Sequence, residues 1–193
     1  NASAQSQAAQ ALNQPMIKVF SDRGQIDTIQ SNYLEASETL KNMLHDVDQN
    51  KALVLPESMI EDYVAIKDLL AQEYRLNAEI TDERTVINIL KSKTEQQLVA
   101  IANASQRFEL NKVGECAVTI LAEQLNAPER KEKCLRDGSY NLMWTPDVAR
   151  LVAVKMKRSY LKKLALQKNN WLVEDLRDFA NRNINWLTQK LRL

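Results

Sequence analysis

Apolar positions recur along most of this chain with a helical period. The clearest run is Ile26, Ile29, Tyr33, Ala36, Leu40, Met43 and Val47, spaced alternately three and four residues apart. That spacing is an a/d seam of about three heptads. Ser21-Asp22 stands before it, with Gln25 three residues after Asp22, as in a capping box. The pattern predicts a first long helix ending at Asp48-Gln49-Asn50, packed inside one molecule or paired with a second copy through the Ile26–Val47 seam. Leu53-Val54-Leu55 reads as a short apolar connector. Pro56 then opens a second helix at its favoured first position, with Met59, Tyr63, Ile66, Leu70 and Ile80 as its apolar face.

Thr81-Asp82-Glu83 either caps a third helix or lies inside a continuous one. Val86, Ile87, Leu90, Leu98, Ile101 and Phe108 carry the pattern onward, diluted at Thr94 and Gln97. Leu110, Val113, Ala117, Ile120 and Leu121 continue it past Gly114, which marks a kink or a close contact. A short charged helix over 129–136 stops at Asp137-Gly138. Tyr140, Leu142, Met143 and Trp144 crowd the following loop, and Thr145-Pro146-Asp147 starts a new helix with cap, proline and acid in order. Helical stretches over 147–168 and 171–192 complete the chain, the last carrying Trp171, Leu176, Phe179, Trp186 and Leu191.

Only three glycines and four prolines punctuate the 193 residues, so long helices can run without interruption. No segment shows the period-two alternation of a half-buried strand, and no repeat recurs at a fixed period. The expected fold is therefore all-α: an antiparallel bundle of about five to seven helices with short connections. Residues 1–20 are expected to be a flexible leader and apolar lead-in, and 21–193 a single helical domain with 109–146 as a small cap subregion.

Composition adds bounds rather than chemistry. A hydrophobic share of 45% and a charged share of 26% are those of an ordinary globular chain. The formal net charge of +1 gives no global pull toward polyanions. Locally the picture differs. Val148 to Val173 holds no acidic residue but carries Arg150, Lys155, Lys157, Arg158, Lys162, Lys163 and Lys168. Such a face is satisfied by an acidic helix of the same fold (57–83 is one), by an anionic membrane surface, or by an acidic partner. We take Arg150, Lys155, Arg158, Lys162 and Lys163, with Tyr140 and Trp144 of the preceding loop, as the candidate interaction surface.

Cys116 and Cys134 are an even pair at short spacing, which suits one structural disulfide in an oxidising compartment. The start Asn1-Ala2-Ser3-Ala4, with small residues where a signal peptidase cuts, points the same way. In its general character over roughly the first 50 residues, exported, Gln-rich and helical, the chain is similar to minor pilus subunits of type IV secretion systems. The likeness is one of character and carries no motif.

No catalytic signature is present: no G-x-x-x-x-G-K-[ST], G-x-G-x-x-G or G-x-S-x-G. The single histidine, His45, lies off the seam, and the His and Cys spacing makes no zinc site. Asp46 with Asp48, and Glu57 with Glu61 and Asp62, read as solvated or dipole-facing carboxylates. We expect no catalytic residue, cofactor or metal, and no nucleic-acid partner. The leading expectation is an exported, non-enzymatic helical interaction or assembly protein of a bacterial cell envelope, periplasmic or secreted, acting on a protein partner. Two alternatives stand beside it: an extracytoplasmic ligand-sensing domain of a membrane receptor, and a helical enzyme with Arg, Lys and Glu converging on a polar pocket.

Overall fold

Asp22 and Arg23 do not start a helix; they turn a hairpin. In the computed structural model, which describes residues 14–47 and 50–126, β1 (Met16–Ser21) and β2 (Gly24–Gln30) pair antiparallel on either side of them. Gly24 takes φ +115°, a conformation that strains any residue with a Cβ and that allows so tight a return. The Ser21 hydroxyl accepts the Arg23 amide at 3.1 Å and steadies the turn. Val19 pairs with Asp27 but Phe20 with Gln25, so Ile26 is the extra residue of a bulge.

After β2 come two short helices, α1 (Ser31–Leu34) and α2 (Glu38–Asn42), and then a second hairpin, β3 (Leu44–Val47) with β4 (Asn50–Val54). β4 lies parallel to β1, giving a four-stranded mixed sheet in the order β2-β1-β4-β3. This corrects the expected all-α bundle. It also removes the coiled-coil seam: Ile26 to Val47 falls on a strand, two one-turn helices and a second strand, so no continuous helix carries it. The three-four spacing does not mark one buried face: Ile29, Ala36 and Leu40 are buried, but Ile26 stands exposed at the bulge. The strands hid for a complementary reason. Met16–Phe20 and Ala52–Leu55 are apolar on both phases of the pleat, save Lys18, and show no alternation. The lead-in and the connector are the two central strands.

From Pro56 onward the described elements are helical, as the pattern predicts, but the run expected to carry on from Val86 to Leu121 is three separate helices. Pro56 is the N-cap of α3 (Glu57–Ile66), which passes through one 3-10 turn (Lys67–Leu69) into α4 (Leu70–Asn77). Tyr63, Ile66, Leu69, Leu70, Glu73 and Leu76 form their buried stripe. α5 (Glu83–Leu90) begins at the Thr81-Asp82-Glu83 signal. Thr94 and Gln97, which dilute the apolar pattern, start α6 (Glu95–Arg107). The Gln97 amide donates to Thr94 Oγ1 at 3.1 Å and the Thr94 amide to Gln97 Oε1 at 2.9 Å, a reciprocal capping box. α7 (Asn111–Asn126) runs through Gly114 without a break.

Helices α4 and α6 end alike, without glycine. Glu79 and Glu109 take φ 58° and 59°. The following amides, of Ile80 and Leu110, reach back to the carbonyls of Arg75 and Ser105 at 2.9 and 2.8 Å. These are the six-to-one bonds of a Schellman stop. Glutamate holds the left-handed position at a cost of about 1 kcal/mol that glycine would not bear.

The chain divides into two compact units, Asn1–Asp82 with Ala104–Val113 and Glu83–Asn103 with Gly114–Leu193. In the first, the sheet packs one face on helices, with Ile17, Val19, Ile29 and Leu53 buried. The corner between α6 and α7 is fastened there by three side chains. Glu73, only 2% exposed, accepts the Lys112 amide on Oε1 at 3.1 Å and the Val113 amide on Oε2 at 2.7 Å. It caps α7 from outside, since Leu110 at the cap position has no side-chain acceptor. The Ser37 hydroxyl donates to the Phe108 carbonyl at 2.7 Å while accepting the Leu40 amide at 3.1 Å, so one group caps α2 and holds the corner. Arg107 Nη1 donates to Asp62 Oδ2 at 2.8 Å and the Ser58 carbonyl at 3.0 Å.

In the second unit, the described core is Val86, Leu90, Leu98 and Ile101 with Ala117, Val118, Ile120 and Leu121. Cys116 lies on the same buried side of α7 as a thiol, its Sγ 4.0 Å from the Glu83 carbonyl oxygen. Among the described residues no disulfide forms, which corrects the expected pairing. Cys134 lies outside the described residues. The helix turns the Cys116 side chain into the core, where it packs as a small apolar group.

Replacing Glu73 with Gln is expected to cost about 1.5–3 kcal/mol in urea unfolding, because two buried amides lose a charged acceptor. An unchanged midpoint would show that the corner holds without it. Glu79→Gly and Glu109→Gly are each expected to raise stability by about 0.5–1 kcal/mol in the same assay, by relieving the left-handed backbone.

Candidate interaction face

The pleat of β1 sends Ile17 and Val19 to the helices and Met16, Lys18 and Phe20 to the other side of the sheet. Register extends that second face across the strands. Lys18 stands in one row with Thr28, Ala52 and His45; Phe20 stands in the next with Gln25 and Val54. Met16 is 54% exposed and Val54 40%, while Phe20 is half-buried. Lys18 and His45 are exposed, and the small Ala52 is buried between them. The face is thus an apolar strip along the two central strands, crossed by one row of basic side chains. The other exposed apolar residues are Ile26 at the β2 bulge and Val64, Ile80 and Ile89, which lie one to a helix or turn, as is ordinary for a protein surface.

The helix-covered side is held by a buried phenol. Tyr63 of α3, 1% exposed, donates its hydroxyl to Asp27 Oδ2 of β2 at 2.7 Å. Burial, and then the Asp27 carboxylate, push the Tyr63 pKa well above that of an ordinary phenol. Asp27 is therefore committed inward, and its other oxygen takes the Thr28 amide at 2.8 Å. At the hairpin turn, Arg23 and Glu57 approach to 3.8 Å, both largely in solvent, a contact worth little.

The described interior offers little chemistry. Its buried polar side chains are Ser37, Glu73 and Ser105. The first two bind main chain, and the Ser105 hydroxyl finds no hydrogen-bond partner. No buried Arg or Lys joins them among the described residues, and no group of His, Cys, Asp and Glu there could hold a metal ion. No described helix is long and apolar enough to cross a membrane.

The residues singled out in the sequence fall elsewhere. His45 lies on β3, on the open face. Asp46 pairs in register with Lys51 at the sheet end, Glu57 faces Arg23, and Asp62 holds Arg107. Arg150, Lys155, Arg158, Lys162, Lys163, Tyr140 and Trp144 lie outside the described residues, as do Asp48, the leader over 1–13 and the helical stretches after 127. The open sheet face was missed. Its one signal was Lys18 interrupting an otherwise apolar stretch, a mark of a strand whose two faces are both apolar.

Compared with known protein families, curated proteins and solved structures, the chain matches none.

Tyr63 keeps its proton in the folded state to a higher pH than in the unfolded chain. Its contribution is therefore full below the ordinary phenol pKa of about 10 and is lost as pH rises above it, by up to about 1.4 kcal/mol per pH unit. Tyr63→Phe is expected to cost about 1.5 kcal/mol at pH 7 and to flatten the fall in stability above pH ~10. Urea unfolding of both proteins from neutral to alkaline pH reads the difference; parallel curves would show that the phenol does not titrate differently in the two states.

Proposed function

We propose that this chain is a non-enzymatic interaction module that seats a protein partner on the open face of its sheet. The observation that supports this is the apolar strip of exposed Met16 and Val54 with half-buried Phe20 on the two central strands. A sheet needs cover on each apolar face, and contiguous exposed apolar surface on a folded chain is where partners dock. The helix-covered side is complete without a ligand: Asp27 is occupied by Tyr63, and Glu73 by two amides. Binding through the strip demands no group with perturbed reactivity, only complementary surface.

A photo-reactive side chain placed at Met16 or Val54, in cells that make the protein, is expected to give a discrete adduct with another protein. The same probe at Val64 or Ile80, as exposed but away from the strip, is expected to give none. The partner, once purified, should protect Lys18 from acylation. No adduct from the strip, the same adducts from all four positions, or an unprotected Lys18 would each overturn the reading.

A further inference from the structure

We propose that the segment seated on this face is an apolar segment interleaved with carboxylates, supplied by a different protein rather than by a second copy of this chain. The inference rests on the open face being the docking surface. Among the described residues that face holds Lys18 and no carboxylate. Lys18 and His45 stand in the row that crosses the apolar strip, and neither Lys18 nor His45 has a salt-bridge partner among the described residues. The sheet's carboxylates are placed elsewhere. Asp27 lies on the helix-covered side, held by Tyr63, and Asp46 pairs in register with Lys51 beyond the strip.

This distribution decides between occupants. A second copy would meet the face through a two-fold axis, which demands a self-complementary surface. Paired across an axis through that row, Lys18 would face the second copy's Lys18 with no carboxylate among the described residues of the face to answer it. Like charges so juxtaposed disfavour the pairing. An apolar segment bearing Asp or Glu fills the strip between Met16, Phe20 and Val54 and offers Lys18 a partner in the same register. Lys18 is exposed, and a lysine can lay its stem on apolar surface with its ammonium in water, so the pair forms where water still shares it and specificity is gained with little desolvation.

Three series of synthetic peptides test this by fluorescence anisotropy against the full chain: apolar residues alternating with Glu, with Gln, or with Lys. The Glu series is expected to bind about tenfold more tightly than the Gln series, and the Lys series not at all. Lys18→Glu should reverse the order. The double variant Phe20→Ser, Val54→Ser should abolish binding by every series, with circular dichroism reporting that it remains folded. Should that variant unfold, Val54→Glu alone serves in its place. An order that Lys18→Glu leaves unchanged overturns the charge inference while the docking face stands. Binding that survives loss of the strip overturns the docking face itself. Absence of binding by all three series overturns the inference, as does self-association in sedimentation that the strip variant removes. Binding to phosphatidylglycerol vesicles that Lys18→Glu abolishes, without preference among peptides, overturns it in favour of a membrane surface.

Discussion

The bond that the first compact unit depends on is the one between the Glu73 carboxylate and the first amides of α7. A helix start leaves amides without partners, and α7 begins after Leu110, which cannot supply one. A carboxylate from α4, three helices back in the chain, fills that need in the interior. Leaving those amides bare would cost the full desolvation of each, and leaving the carboxylate bare would cost more. Each therefore requires the other, and the α6–α7 corner has one place to sit. Ser37, the cap of α2, and Asp62 of α3, through Arg107, act on the same corner. With Glu73 of α4 they tie three helices to a short stretch of main chain.

Helices cover one side of the sheet, and Tyr63 of that side holds Asp27. Among the described residues the other side therefore keeps Lys18 and His45 but no carboxylate. The functional reading thus follows from a packing decision. Which charges remain on the open face was set by which ones the helices consumed. The same economy governs the helix ends, where glutamates occupy left-handed positions in a chain so poor in glycine.

The helices after Pro56 were legible because their signals are local. Proline at a helix start, Thr94 and Gln97 three apart, and a buried stripe spaced by three and four all act within one or two turns. Where a local signal was misread it was read at the wrong level: Thr94 and Gln97 looked like polar gaps in a stripe and are a cap. The sheet was not legible. β1 and β4 pair residues far apart in the chain, Lys18 with Ala52, and nothing in either segment names the other. Both are central strands, apolar on two faces, and such runs carry no alternation to find. The seam from Ile26 to Val47 shows the converse, a helical spacing produced by elements that are mostly not helix. The open face shared the sheet's fate, since a face exists only once strands are in register.

The sequence by itself determined the element boundaries where capping chemistry is local, the buried stripes of α3 through α7, and the lack of any nucleotide-binding or metal-ligating motif. Tertiary structure alone decided that Met16–Phe20 and Asn50–Val54 are neighbouring strands, that Cys116 packs in a core as a thiol, and that Glu73 is a cap rather than a surface charge. The physical reason is range. Backbone amides are satisfied within a helix by residues four apart, so sequence spacing records them. Strand pairing and caps supplied from another helix join residues that only the folded chain brings together, and the open, basic-rowed face is a product of those joins.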